Sequence, residues 1–358
     1  MKYEYWFANI KGINNRRKIE VRNYFQRIEE LFFLDEWKMI ALGIAEKEKK
    51  ILIESIKTWD IEGAYRKIEE KAIRCVPYFH KDYPEKLKQI DSPPYMLYVK
   101  GKLPDPKRKT VAMVGARNCS HYGEYMAKEY AETLAKAGVQ IVSGMARGID
   151  GISQRSAIAA GGSSFAVLGC DVNYCYPQEH MELYSDLIKC GGVLSELPIG
   201  TMPLKQYFPA RNRIISGLSD AVLVIEAKER SGTLITTDMA LEQGRDVYAL
   251  PGPTNSQLSR GCNLLIKQGA DILLSPEELL VDLGLTGTNV LEKSELTKNS
   301  LVMSEKLLYS CLGLYPQNLE ELIQKTRMSV PEILDNLISL ELKGIIKEVS
   351  KNYYVRLK

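Results

Sequence analysis

The sequence predicts an α/β protein: an extended Rossmann-like, doubly wound parallel sheet flanked by a small helical N-terminal domain and a C-terminal winged-helix-like domain. Three patterns predict it. Between residues 110 and 250, short apolar runs end in glycine and lead into amphipathic stretches, as parallel strands with helices on both faces require. Residues 1 to about 70 carry helical patterning with both charge signs, and residues 301–358 offer three helical stretches and a hairpin.

The first domain is expected over 1–74. Its stretch Phe7-Ala8-Asn9-Ile10-Lys11-Gly12-Ile13, followed by Arg16-Arg17-Lys18 and the apolar Ile19, Val21 and Phe25, resembles a helix-hairpin-helix. In that motif a glycine turn offers backbone N–H groups to a phosphate. Asn14 stands where the second hairpin glycine would be, so a small helical packing domain is the plainer expectation. Pro77, Pro84, Pro93, Pro94, Pro104 and Pro106 preclude a long helix and mark 75–109 as a connecting segment.

The Rossmann-like domain is expected over 110–285. Strands are predicted at Thr110 to Val114, Val139 to Val142, Ser164 to Leu168, Val193 to Ser195, Ala221 to Ile225 and Asp246 to Leu250. Helices are predicted at Tyr122 to Lys136, Gly151 to Ala160, Glu179 to Cys190 and Thr233 to Gln243. Aperiodic sequence makes 286–300 a linker. In 301–358, helices at Glu305 to Leu312 and Leu319 to Thr326 precede a third that starts after Ser329, with Pro331 in its first turn. Ile345 to Val349 and Tyr353 to Leu357 form the hairpin of a winged helix. Glu332, Asp335 and Glu341 on the third helix would repel phosphate, so this unit reads as a packing or protein-contact module.

Composition narrows the function classes. At 358 residues, with 45% hydrophobic and 26% charged residues, the chain is an ordinary soluble globular one. The net charge of +3 leaves any nucleic-acid affinity to local clusters of Arg and Lys. No apolar run is long enough to span a bilayer, and Met1 to Gly12 lacks the layout of a signal peptide. Seven scattered cysteines without a C-x-x-C suggest reduced thiols in a cytoplasm, and three histidines form no metal spacing. Neither metal nor cofactor is expected. No G-x-G-x-x-G follows the first strand, and no Walker-type loop or G-x-S-x-G exists, which disfavours a dehydrogenase, an ATPase and an acyl-transfer enzyme.

Ligands of an open parallel sheet lie beyond the carboxyl ends of its strands. Four clusters fall there: Gly115-Ala116-Arg117, Ser143-Gly144 through Arg147-Gly148, Phe208 through Arg213, and Ser231-Gly232-Thr233. Three open a helix, where free N–H groups and the dipole favour anions. Arg117, Arg147, Arg211 and Arg213 would add charge-assisted hydrogen bonds, and several phosphate seats in one groove fit a polymer better than a mononucleotide. Phe208, beside Tyr207, suits stacking on an unpaired base and equally a place in the core. Arg211 and Arg213, if helical, point about 200° apart, so one is expected to be a buried partner for an acid such as Asp220, with Arg211 the outward one. Asp150, Glu196, Glu226 and Asp238 lack metal-ligand spacing and read as caps and arginine partners.

These residues resemble the DNA-processing protein A (DprA/Smf) family. The likeness rests on Val111 to Arg117 (VAMVGAR), Ile141 to Asp150 (IVSGMARGID), Phe208 to Leu218 (FPARNRIISGL) and Ser231 to Thr236 (SGTLIT), and covers about residues 75–280. It implies single-stranded DNA binding without chemistry, protection of incoming DNA and loading of a RecA-type recombinase during natural transformation, usually by a homodimer. The family's DNA-binding positions carry over as Arg117, Ser143, Gly144, Arg147, Phe208, Arg211 and Asn212, with the turn Ser231-Gly232-Thr233. Ser153-Gln154 departs from the family's usual Ala-His, so any role of that histidine is missing. Nucleotide phosphoribohydrolases of the cytokinin-activating type share such a sheet and use P-G-G-x-G-T-x-x-E. Here Thr236 stands where their catalytic Glu would. A plain nucleotide sensor is the third reading.

Overall fold

The computed structural model describes residues 1–285 and 302–356; the expected linker 286–300 lies outside them. Its central feature is a nine-stranded sheet in the order β1-β2-β6-β5-β4-β3-β7-β8-β9. The strands are β1 (Arg74–Pro77), β2 (Met96–Gly101), β3 (Thr110–Val114), β4 (Gln140–Ser143), β5 (Ser164–Val167), β6 (Gly192–Ser195), β7 (Ala221–Val224), β8 (Asp246–Ala249) and β9 (Asp271–Ile272). From β3 to β9 all pairings are parallel, whereas β2 joins β6 antiparallel and β1 joins β2 antiparallel. The sheet is doubly wound: the chain proceeds outward from β3 to β6, then returns to the other side of β3 for β7 to β9.

Alternation along the strands sorts the two faces. Ala112 and Val114 pack with Val222, Val224, Ile214 and Leu218 under the helices Tyr207–Leu218 and Gly232–Glu242. Val111 and Met113 pack with Leu223, Tyr130 and Leu134 under the helices His121–Lys136 and Ile149–Ala159. The stretch 75–109 does more than connect: it carries β1 and β2 at the sheet edge. Its prolines forbid a helix but leave room for strands, with Pro77 at the end of the edge strand.

The first seventy residues form six helices, Lys2–Asn9, Asn15–Arg22, Glu29–Phe32, Glu36–Ala41, Glu46–Thr58 and Ile61–Glu70. They do not keep a core to themselves. Trp6, Phe7, Leu31 and Leu52 share one apolar cluster with Tyr95, Met96 and Tyr98 from the edge of the sheet and with Val172. The C-terminal unit has helices Met303–Cys311, Leu319–Thr326 and Val330–Leu342, then a three-stranded sheet of β10 (Gln317–Asn318), β11 (Ile346–Ser350) and β12 (Tyr353–Arg356). This is the winged-helix arrangement.

One buried carboxylate ties the first and third helices of that unit together over its apolar core. Glu305, 4% exposed, accepts from Lys343 Nζ and Ser339 Oγ at 2.6 Å each, bonds that hold its carboxyl down at about 2. The folded value lies below the unfolded one, so the stabilisation is complete above about pH 4.5 and is lost as pH falls towards 2. Glu305→Gln is expected to cost the unit about 1–2 kcal/mol at pH 7 and much less at pH 3, as hydrogen bonds to a charged group imply. Chemical denaturation at the two pH values measures the difference; equal losses would contradict it.

Candidate nucleic-acid interface

The switch point beside β3 is where the groove forms. β3 runs out into Gly115-Ala116-Arg117, β4 into the loop from Gly144 to Gly148, and the turn after β7 leads to Ser231, which caps the helix Gly232–Glu242. The helix Tyr207–Leu218 begins at the same place, with Pro209 in its first turn, where no N–H is needed. Two adjoining lobes result. One, of about 500 Å³, is lined by Gly115, Asn212, Ser231, Gly232 and Thr233; the other, of about 320 Å³, takes in Gly144 and Arg147. Arg117, Phe208, Arg211 and Tyr176 line both.

At the junction, the Phe208 ring centroid lies 6.0 Å from the guanidinium carbons of both Arg117 and Arg211, and 5.6 Å from the Tyr176 ring. Arg117 is exposed, and the ion pairs among the described residues that involve neighbouring arginines leave it out. It is an exposed cation beside a half-buried aromatic ring, a combination that suits phosphate and base together.

Arg211 is only 6% exposed, which corrects the expectation that it faces outward. Its guanidinium lies beneath Gly144, where a Cβ would come within 2.2 Å of Nη1, and it donates to the Val167 carbonyl. The helical spacing explains the orientation: Ile214, Ile215 and Leu218 are buried on the same helix, at three, four and seven residues on. Asp150 is buried too. Burial pushes its carboxyl above the usual range, while the Arg211 charge and the Gly144 N–H, donating at 3.2 Å, oppose that rise.

Arg213 turns away from the groove and pairs with Glu196, not with Asp220. Asp220 instead accepts from Lys86 Nζ at 2.6 Å and from the Thr110 N–H at 2.8 Å. Neither Arg213 nor Ser143 lines either lobe. Ser143 is wholly buried at the end of β4, and its hydroxyl donates to the Met113 carbonyl at 2.6 Å.

Fewer helix starts are open to an anion than the glycine turns suggest. Glu226 accepts from the Ser120 N–H and hydroxyl and closes the first turn of His121–Lys136. The N–H groups of Gly144 and Met145 donate to Asp150 and Gln154. Arg147 is exposed, yet its Nε and Nη2 both donate to Glu179, so a phosphate there must replace a carboxylate. At Gly232–Glu242, the Ser231 hydroxyl accepts from the Thr233 N–H at 3.0 Å, and Gly232 is exposed.

Sequence reasoning missed two contributors. Gln154 is fully buried: its Oε1 accepts from Met145 N–H at 3.1 Å, and its Nε2 donates to the Phe165 carbonyl at 2.9 Å, tying the loop to β5. That loop holds Met145 at φ +54° and Gly148 at φ +68°, where a Cβ would meet the Ala116 carbonyl at 2.2 Å. Tyr176 is the other, and its only signal is a Tyr-Pro pair in the loop region that follows β5.

Fold and groove together define a Rossmann-like binding protein whose site combines cationic and aromatic groups at the sheet's switch point. A sequence model described as DNA recombination-mediator protein A matches residues 74–284, and one described as the DprA winged helix domain matches residues 294–350. The chain belongs to the DNA-processing protein A (DprA/Smf) family. It is 39% identical to Protein Smf of Escherichia coli over 307 residues, 83% of this chain and 81% of that one. It is 35% identical to the DNA processing protein DprA of Streptococcus pneumoniae over 280 residues, 78% of this chain and 97% of that one. The X-ray structure of DprA from Streptococcus pneumoniae matches with a TM-score of 0.69 and 33% identity, covering 79% of this chain and 98% of that one. DNA processing protein A from Helicobacter pylori, solved for its single-stranded DNA binding mode, matches with a TM-score of 0.53 and 28% identity, over 59% of this chain and 95% of that one.

Proposed function

We propose that this protein binds single-stranded DNA in the groove at the switch point, does no chemistry on it, and serves as a recombination mediator. In this reading it protects incoming DNA and loads a RecA-type recombinase onto it during natural transformation, as a cytoplasmic homodimer. The observation that carries the binding step is Arg117 beside the Phe208 ring at the junction of two lobes. The likeness to a Helicobacter pylori protein known for its single-stranded DNA binding mode supports it. Site residues for DNA are Gly115, Arg117, Arg147, Phe208, Asn212 and the turn Ser231 to Thr233, with Gly144 and Arg211 as the floor.

Other features support the finer points. Thr236, where a phosphoribohydrolase would carry its carboxylate, is buried, and Asp150 is engaged by Arg211 and Gly144, which favours binding over cleavage. The helix Val330–Leu342 has no Arg or Lys and exposes Val330, Leu334, Ile338 and Leu342 at four-residue intervals, a face suited to protein contact rather than base reading. Exposed Ile272 and Leu274 at the β9 edge, with exposed Leu241 on the helix Gly232–Glu242, suit a contact with a second copy.

Fluorescence anisotropy with single- and double-stranded oligonucleotides tests the reading. Single strands are expected to bind more tightly, with log K falling against log salt at a slope of about −2, as about three neutralised phosphates require. A flat salt titration, or hydrolysis of a nucleoside monophosphate by the same preparation, would overturn it.

A further inference from the structure

We propose that the cleft between the helical N-terminal domain and the loop 198–207 is a second seat for the same DNA strand, continuing the path that begins at Phe208. The inference rests on the single-strand reading of the main groove. The cleft measures about 930 Å³. One wall is the loop from Pro198 to Leu204 with Tyr207; the other carries Tyr5, Asn9, Lys11, Trp59 and Lys67.

Continuity is the first reason. A single ridge separates the two cavities: Leu204 and Tyr207 line the cleft, while Lys205 and Phe208 line the main groove. A strand leaving the Phe208 ring crosses that ridge within two side chains. Met202 and Leu204 are 54% and 49% exposed on it, apolar surface that stacked or edge-on bases would cover.

Chemistry is the second. Lys11 and Lys67 are exposed on the far wall, while the half-buried Trp59 and Tyr207 supply aromatic surface to the cleft and Tyr5 forms part of its buried floor. Alternating cations and aromatic faces hold a single strand with little sequence preference. Glu54 is the one acid on the lining. Lys11 precedes Gly12 in the hairpin turn whose sequence resembles a phosphate-binding motif, and the main groove gives that turn no role.

Rigidity is the third. The two walls are fastened by Asn9 Nδ2 donating to the Tyr98 hydroxyl at 2.9 Å, by Asn15 donating to Glu196 at 3.3 Å, and by Ile199 packing into the helical core. The cleft is therefore preformed, and ordering a strand in it needs no domain movement.

The test compares the full-length protein with its Lys11→Glu/Lys67→Glu variant on oligothymidylates of about 6 and about 20 nucleotides, one near the lower end and one beyond the upper end of the site sizes of single-strand binders, about 4–16 nucleotides. Affinity for the short probe is expected to be unchanged and that for the long probe to fall about tenfold, with the salt slope shallower by about 1 to 1.5 for two lost phosphate contacts. A 4-thiothymidine at the end of the long probe should crosslink to the cleft wall. Equal losses on both lengths, no loss on either, or crosslinks confined to the main groove would overturn the second seat while leaving the main groove standing. Wild-type protein that binds neither length would overturn both. Because both lysines are exposed, an unchanged melting temperature verifies that the variant is folded.

Discussion

Arg211→Ala is expected to cost the central domain about 3–5 kcal/mol, the range found when one member of a buried charge arrangement is removed. The guanidinium donates to the Val167 carbonyl, lies under Gly144 and favours the ionised form of buried Asp150. Alanine removes all three at once and leaves the carboxylate without its counter-charge. The loop from Gly144 to Gly148 then loses its floor, so DNA affinity falls as a consequence of the collapse. Thermal melting measures the first effect. The second variant, Asp150→Asn with Arg211→Met, removes both charges together and is expected to recover part of the lost stability. An Arg211→Ala protein that melts like the wild type would show that the arginine is not structural.

Arg117→Ala should behave in the opposite way. The side chain is exposed and its cation–π neighbour, Phe208, stays in place, so stability is expected to change by no more than about 0.5 kcal/mol. Single-strand affinity should drop about tenfold, and the salt slope should become shallower by about 0.7, the share of one phosphate on a single strand. Anisotropy titrations at four salt concentrations separate the two numbers. Lost affinity with an unaltered slope would mean that Arg117 contacts a base rather than phosphate.

Much of the fold is legible in the sequence because parallel strands buried on both faces leave apolar runs with few interruptions, as at Val111 to Val114 and Ala221 to Val224. The edge strands β1 and β2 are not, because a proline-rich antiparallel edge has the composition of a connector. The groove's location follows from the turns after β3 and β4. Its inner orientation does not, although part of it was available: Arg211, Ile215 and Leu218 share a helical stripe, and an arginine on an apolar stripe is a buried arginine. Glu226 and Glu196 take the cap and arginine-partner roles expected of them, at the start of His121–Lys136 and on Arg213, whereas Gln154 acts on Met145 and Phe165, 9 and 11 positions away, and local pattern carries no trace of those partners.

The apolar cluster that the N-terminal helices share with Tyr95, Met96, Tyr98 and Val172 has a thermodynamic consequence. Neither side can be hydrated without wetting the other, so the helices and the adjoining sheet edge open as a single cooperative foldon rather than as beads on a string. Occupation of the proposed cleft is therefore expected to raise the hydrogen-exchange protection of the first seventy residues as a block.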